Sequence, residues 1–340
     1  MSDLDLASLN SWLGRHAPAL GQFDSARKFA GGQSNPTYRL DGPGRACVLR
    51  RKPFGQLLPS AHAVDREYRM LSALHPSGYP VPRPLALCED TSVIGAMFYV
   101  MELIEGRNLV NGALPDMPVE QRKGHYESLI DTLAWLHSLD YRELGLGDFA
   151  RPGNYFARQV DRWTKQYRAA QTENIDEVER LIEWLPRTVP EQSATTIIHG
   201  DYRIDNLIFA PTGPKVTAVL DWELATIVDP LADFAYLAMN WVTPATGRAE
   251  LGGIDLEAEG LPTLDDAVAR YCHATGRQRL PDLHWYFAFN LFRMTGIVQG
   301  IKKRAADGNA SSDNADNLAA RTRPLSQLAW TQARMAGATG

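Results

Sequence analysis

The chain has 340 residues, of which 44% are hydrophobic and 22% charged, a composition that suits a soluble globular protein with room for two cores. Its formal net charge of −5 gives no basic footprint for nucleic acid, so no nucleic-acid partner is expected. The longest apolar run, 93–104, is too short to span a bilayer and contains Glu102, so no membrane partner is expected either.

Residues 4–20 carry apolar positions at helical spacing. Short β-prone runs at 27–30, 37–40 and 46–50 follow, separated by the turns Gly31-Gly32-Gln33-Ser34-Asn35-Pro36 and Asp41-Gly42-Pro43-Gly44; they predict a three-stranded meander. Ser60 is placed to cap a helix carrying Val64, Met70, Leu71 and Leu74, which prolines at 76, 80, 82 and 84 end. Two further strands are expected around 85–88 and 96–103. After Glu105-Gly106 the pattern turns helical over 119–139, 155–170 and 176–188. Two short strands around 207–209 and 216–220 interrupt it, and helices return near 230–240, 264–275, 281–304 and 317–335. The stretch 243–261 looks like a loop. The fold class is α+β, with a β-rich lobe at 1–104 and a mainly helical lobe at 105–340. The acidic opening MSDLDLASLN lacks the features of a secretory signal, and Cys47, Cys88 and Cys272 show neither disulfide nor zinc spacing. A cytoplasmic protein with reduced thiols is expected.

The segment TIIHGDYRIDNLIF, at 196–209, holds Asp201, Asp205 and Asn206 between apolar runs. Asp221 ends the next strand, and a β-ribbon pairing 207–209 with 216–220 would bring Asp201, Asn206 and Asp221 to one end. Such an oxygen-rich set without His or Cys ligands suits Mg²⁺. Phosphoryl transfer needs that set, with a group to orient the attacking hydroxyl and oxygen ligands for the metal. The GGQSN loop, from Gly31 through Gly32 to Asn35, would let backbone N–H groups approach phosphate oxygens. Arg50 could neutralise phosphate charge, held by Glu67 on the following helix.

The motifs GGQSNPTYRL, VLRR, REYRML, YVMELIEG, HGDYRIDNLIF and VLDWELATIVDPLADFAYL occur in that order. On these the sequence resembles the aminoglycoside phosphotransferase and choline kinase-like superfamily, whose fold is the bilobal protein-kinase-like one. Its wording is most similar to the branch fused in some organisms to acyl-CoA dehydrogenases. The resemblance implies ATP and Mg²⁺ as cofactors and a small-molecule hydroxyl substrate, with a hydroxyacyl-CoA or related metabolite and an aminoglycoside-like compound as the candidates. It makes Asp201 the catalytic aspartate, Asn206 and Asp221 the metal ligands, and Arg50 the phosphate-binding cation paired with Glu67. Gly32, Ser34 and Asn35 fall in the nucleotide loop, and Glu102-Leu103-Ile104 becomes the hinge that reads adenine.

Arg50 departs from the commoner Lys, Gly200 stands where protein kinases have Arg, Trp222-Glu223 replaces Phe-Gly, and Val228 replaces a frequent Gly. These departures favour a small-molecule kinase over a protein kinase, and a nucleotide-binding pseudokinase is the alternative. Structural roles stay open for His199, Asp205, Asp229 and Asp233. Arg203 has two readings, a contact with substrate or phosphate and a solvated side chain. Arg293, Lys302, Lys303 and Arg304 read as a solvated helical face, and Trp222 and the aromatics 285–289 as core.

Overall fold

The β-branched and aromatic residues of the early chain form strands, as their spacing predicts. The structure, a computed structural model, describes residues 4–29, 35–54, 63–150, 153–307 and 315–339. In chain order it runs α1 (Leu6–His16), β1 (Ser25–Lys28), β2 (Thr37–Gly42), β3 (Arg45–Arg51), α2 (Val64–Leu74), β4 (Pro84–Cys88), β5 (Phe98–Glu102) and β6 (Arg107–Asn108). Then come α3 (Val119–Ser138), α4 (Tyr155–Ala170), α5 (Asp176–Trp184), β7 (Thr196–Ile198), β8 (Leu207–Phe209), β9 (Val216–Val219) and β10 (Thr226–Val228). The chain closes with α6 (Leu231–Ala238), α7 (Leu264–Thr275), α8 (His284–Ala306), α9 (Ala315–Ala320) and α10 (Thr322–Met335). The class is α+β, with the sheet early and helices late.

Two compact units result. The first comprises 1–110, 140–147 and 199–225; the second takes the rest. The first unit holds an antiparallel five-stranded sheet in the order β1-β2-β3-β5-β4. Alternation along the strands divides its faces. Tyr38, Leu40, Cys47, Leu49, Phe98 and Val100 pack with Leu9, Trp12 and Leu13 of α1 in one core. The opposite face presents Val48, Arg50, Tyr99 and Met101, with Val48 paired to Met101 and Arg50 to Tyr99. Helix α2 shares this unit and buries Val64, Glu67, Met70, Leu71 and Leu74. It starts at Val64 with Ala63 at its N-cap; the cap expected from Ser60 lies outside the described residues. The ribbon expected at 207–220 is β8 with β9, and β6 joins it as a third strand.

In the second unit, β7 pairs antiparallel with β10, and Val228 sits opposite Thr196 in that ladder. Sequence reading missed β10 because its three residues are too few to show a period. Helix α8 buries most of its length, and Phe156 meets Trp285, Tyr286 and Phe289 edge-on. The aromatics 285–289 are therefore core, as expected. Helix α7 opens with a capping box between Thr263 and Asp266, absent from the sequence reading. Asp229 caps the start of α6, accepting from Leu231 N at 2.8 Å, and accepts from Ser193 N at 2.5 Å. Of the basic residues on α8, Arg293 lies over the rings of Trp163 and Tyr236, Lys302 and Lys303 make part-exposed pairs with Glu173 at 2.5 Å and Asp307 at 3.1 Å, and Arg304 is exposed. The three cysteines are free and buried. Among the described residues no helix is long and apolar enough to cross a membrane.

Candidate active site

The loop between His199 and Asn206 is shaped by one glycine. Gly200 has φ +86°, and a Cβ there would sit 2.7 Å from the main-chain oxygen of Leu224 and 2.8 Å from its Cβ. Only glycine fits, which gives a steric reason for the missing arginine before Asp201. His199 is buried and structural: one ring nitrogen, Nε2, bonds the oxygen of Leu220 at 2.7 Å, and Nδ1 accepts from Asp201 N at 3.2 Å. Leu220 N in turn donates to the oxygen of Asn206 at 2.8 Å. Both peptide groups of Leu220 are thus tied to the loop, and Asp221 follows immediately.

Asp201 and Asn206 meet directly. The Asn206 amide donates through Nδ2 to the main-chain oxygen of Asp201 at 2.8 Å and to its Oδ2 at 3.2 Å. Arg203 Nε lies 3.2 Å from Asp201 Oδ1, and its Nη2 lies 3.4 Å from Asp205 Oδ2. Arg203 is therefore engaged within the loop and Asp205 faces it.

Asp221 has left-handed backbone, φ 68° and ψ 61°. For a residue with a Cβ this costs roughly 1–2 kcal/mol, and such strain concentrates at functional positions. No sequence signal announces it. Its carboxylate accepts from Arg50 Nη2 at 2.5 Å. The same nitrogen lies 3.6 Å from Glu223 Oε2, while Arg50 Nε lies 3.2 Å from Glu67 Oε2. One guanidinium fork therefore faces three carboxylates.

Burial sets the charges here. Burial raises the Glu67 carboxyl from its ordinary value of 4.5 to about 7, against the pull of the Arg50 charge. Burial opposes the charge on Arg50, but Glu67, Tyr99 and Asp221 outweigh it and hold the guanidinium above its ordinary range. The Tyr99 hydroxyl, raised by burial and then by the Glu67 charge, stays neutral beside that carboxylate.

These groups border a cavity of about 440 Å³. Arg50, Glu67, Tyr99 and Asp221 line its polar part; Val48, Leu71, Met101, Leu103, Ile104 and Ile208 are among its apolar walls, and Glu102 lies at the 102–104 segment. Of the residues anticipated from sequence, Arg50, Glu67, Glu102, Ile104 and Asp221 line this one space. Asp201 and Asn206 meet each other on the adjoining loop. Asn35 is buried and donates through Nδ2 to Glu223 Oε2 at 3.3 Å. Gly32 and Ser34 lie outside the described residues. Sequence reading missed Tyr99 and Glu223: the register that sets Tyr99 opposite Arg50 could have found the first, and nothing local marks the second.

A space of this size, walled by apolar residues and edged by a few convergent charged groups, has the character of a small-molecule site. The chain belongs to the phosphotransferase enzyme family, whose model matches residues 25–279. It is 42% identical over 334 residues to acyl-CoA dehydrogenase family member 10 of Mus musculus, covering 97% of this chain and 31% of that protein. It is 38% identical over 329 residues to family member 11 of Homo sapiens, covering 95% and 42%. The chain thus spans well under half the length of these curated relatives. A solved structure from Ralstonia eutropha, a provisionally assigned aminoglycoside phosphotransferase, matches with a TM-score of 0.89 at 42% identity over 98% of this chain and 99% of that one. The fold alone is shared with a thermostable mutant of aminoglycoside phosphotransferase APH(4)-Ia, solved with AMP-PNP and hygromycin B: TM-score 0.62, 13% identity, 98% and 99% coverage.

Proposed function

We propose that this chain is an ATP- and Mg²⁺-dependent kinase that transfers the γ-phosphoryl group to a hydroxyl of a small molecule in the cytoplasm. The observation that carries the reading is the Arg50 guanidinium, joined to Glu67 and Asp221 at the polar end of the 440 Å³ cavity. In this reading the apolar walls take the adenine, the backbone of Glu102 and Ile104 reads its edge, and Arg50 meets the non-transferred phosphates. Gly32, Ser34 and Asn35 belong to the nucleotide loop. By chain order this reading divides the lobes at 1–104 and 105–340, although 140–147 and 199–225, the latter carrying the acidic loop and Asp221, cluster with the first compact unit.

Asp201 orients the attacking hydroxyl and accepts its proton. Its carboxylate is held from both sides by Asn206 and Arg203, so little reorganisation precedes transfer. Asn206 and Asp221 would hold Mg²⁺. The donor set fits: with Nδ2 of Asn206 committed to Asp201, its Oδ1 is the atom left to serve a cation, and Asp221 offers a hard carboxylate, one oxygen of which meets Arg50. Mg²⁺ takes few protein oxygens and completes its shell with phosphates and water. When bound, the ion supplies charge neutralisation at the β- and γ-phosphates.

The acceptor classes to try are hydroxyacyl-CoA esters, which the resemblance to the acyl-CoA dehydrogenase-fused branch implies, and aminoglycoside-like compounds, which the solved neighbours' names carry. The test is ATP consumption with Mg²⁺ across hydroxyacyl-CoAs, aminoglycosides, choline and sugars, with Asp201→Asn alongside. Turnover with one class, lost in the variant, supports the reading and names the acceptor. Nucleotide binding without turnover on any class favours the pseudokinase alternative, for which the Arg50–Asp221 pair is the supporting feature. A protein that binds no nucleotide would sink both.

A further inference from the structure

Glu223 has no part in the reaction just described, yet it holds the two sides of the site together. Its Oε2 accepts from Asn35 Nδ2 at 3.3 Å and lies 3.6 Å from Arg50 Nη2. Asn35 is 1% exposed and separated from Glu223 by 188 positions, so the contact is a long-range tie from a buried amide to a part-exposed carboxylate. Asn35 ends the GGQSN loop, and Thr37 Oγ1 donates back to its main-chain oxygen at 3.0 Å. Glu223 sits on the turn that begins at Asp221.

We infer that Glu223 is a positioning residue that fastens the end of the glycine-rich loop to Arg50 and to the Asp221 turn, and that Arg50 and Glu223 work as a matched pair; this rests on the nucleotide reading above. A lysine ammonium is a single point of charge. The guanidinium reaches Glu67 through Nε and, through Nη2, both Asp221 and Glu223. Arginine in place of the usual lysine therefore gains a use here: it carries the loop fastening as well as the phosphate charge. Glu223 touches neither nucleotide nor acceptor in this account, and it acts by setting where the loop and Arg50 stand.

The test reads the ligand-free protein and the enzyme in parallel. Two reporters flank Asn35: Phe29 N donates to the oxygen of Thr37 at 2.9 Å, and Arg51 N donates to the oxygen of Pro36 at 3.0 Å. Glu223→Ala should speed amide exchange at both about tenfold without nucleotide, as loss of a tie lowers the local opening energy. Glu223→Gln keeps an acceptor for Asn35 and should restore most of that protection. In turnover, Glu223→Ala should raise KM for nucleotide about tenfold while kcat stays within about twofold, because uniform binding is lost and the chemical step is not. Arg50→Lys should give the same exchange change, and Arg50→Lys with Glu223→Ala no more than either alone, since coupled sites are not additive. Unchanged exchange in Glu223→Ala, or effects that add in the double variant, overturns the inference. Faster exchange in a protein that turns over no nucleotide supports the fastening while removing the kinase reading.

Discussion

Asn206 binds Asp201 twice through one nitrogen, at the main-chain oxygen and at Oδ2. The asparagine therefore orients the aspartate and fixes its own amide plane with a single group. On the proposed reading, Asp201→Asn should lower kcat by about 10²–10⁴-fold, the usual share of a general base. Nucleotide affinity should stay within about threefold, because Asp201 does not line the nucleotide cavity. Steady-state kinetics with calorimetric nucleotide binding checks both. Loss of nucleotide affinity in step with kcat would place Asp201 in binding rather than chemistry.

Asp221 is paired with Arg50 in the ligand-free chain, yet Arg50 also faces Glu67 and Glu223. The cluster carries surplus negative charge, and Asp221 is among the groups that push the Glu67 carboxyl upward. Asp221→Asn relieves that repulsion and keeps the side-chain shape. The expected outcome is a Tm equal to or above that of the parent without metal, together with loss of Mg²⁺-dependent turnover by about a hundredfold or more. Thermal melts with and without Mg²⁺, beside an activity assay, decide it. A clear fall in metal-free Tm would mean that the Arg50–Asp221 pair stabilises the fold more than the repulsion costs.

The fold was legible in the sequence where hydrophobic period and turn chemistry agreed. The helix predicted at 155–170 and that at 264–275 have those bounds. Two short elements were not legible: β6 and β10 exist because a ladder partner is supplied from far away in the chain, whereas β8, as short as β10, was legible from its apolar run beside the acidic loop. At the site the pattern was the same. The acidic loop, Arg50 and Glu67 stood out as charges in the wrong surroundings for a core. Glu223 and Tyr99 did not, because their roles depend on contacts across 188 positions in one case and on strand register in the other. The positive φ of Asp221 left no mark in composition at all.

Gly200 is fixed by two independent constraints, a φ of +86° and the closeness of Leu224. Gly200→Ala meets both. The left-handed backbone alone costs roughly 1–2 kcal/mol for a residue with a Cβ, and the close contact with a main-chain oxygen adds to it. The loop from His199 to Asn206 must shift to relieve the strain, so turnover should fall along with stability. Urea unfolding and kcat measured on the same preparation test this. A variant as stable and as active as the parent would mean that the loop tolerates a different path.

Glu67 makes stability depend on pH in a direction opposite to that of ordinary paired carboxylates. Its folded value is raised to about 7, above the ordinary 4.5. Between those values the folded state holds a proton that the unfolded chain has lost. Stability therefore falls as pH rises from about 4.5 to 7, since raising pH shifts the balance toward the state that binds fewer protons, here the unfolded one. Below 4.5 both states are protonated and the contribution is complete; above 7 it is gone. Glu67→Gln removes the titration while keeping the volume and a partner atom for Arg50. Urea midpoints for the parent and the variant, taken every half unit from pH 4.5 to 8, should converge at the acid end, with the parent falling relative to the variant as pH rises. Parallel curves across that range would mean that Glu67 is ionised in the folded chain throughout, held so by Arg50.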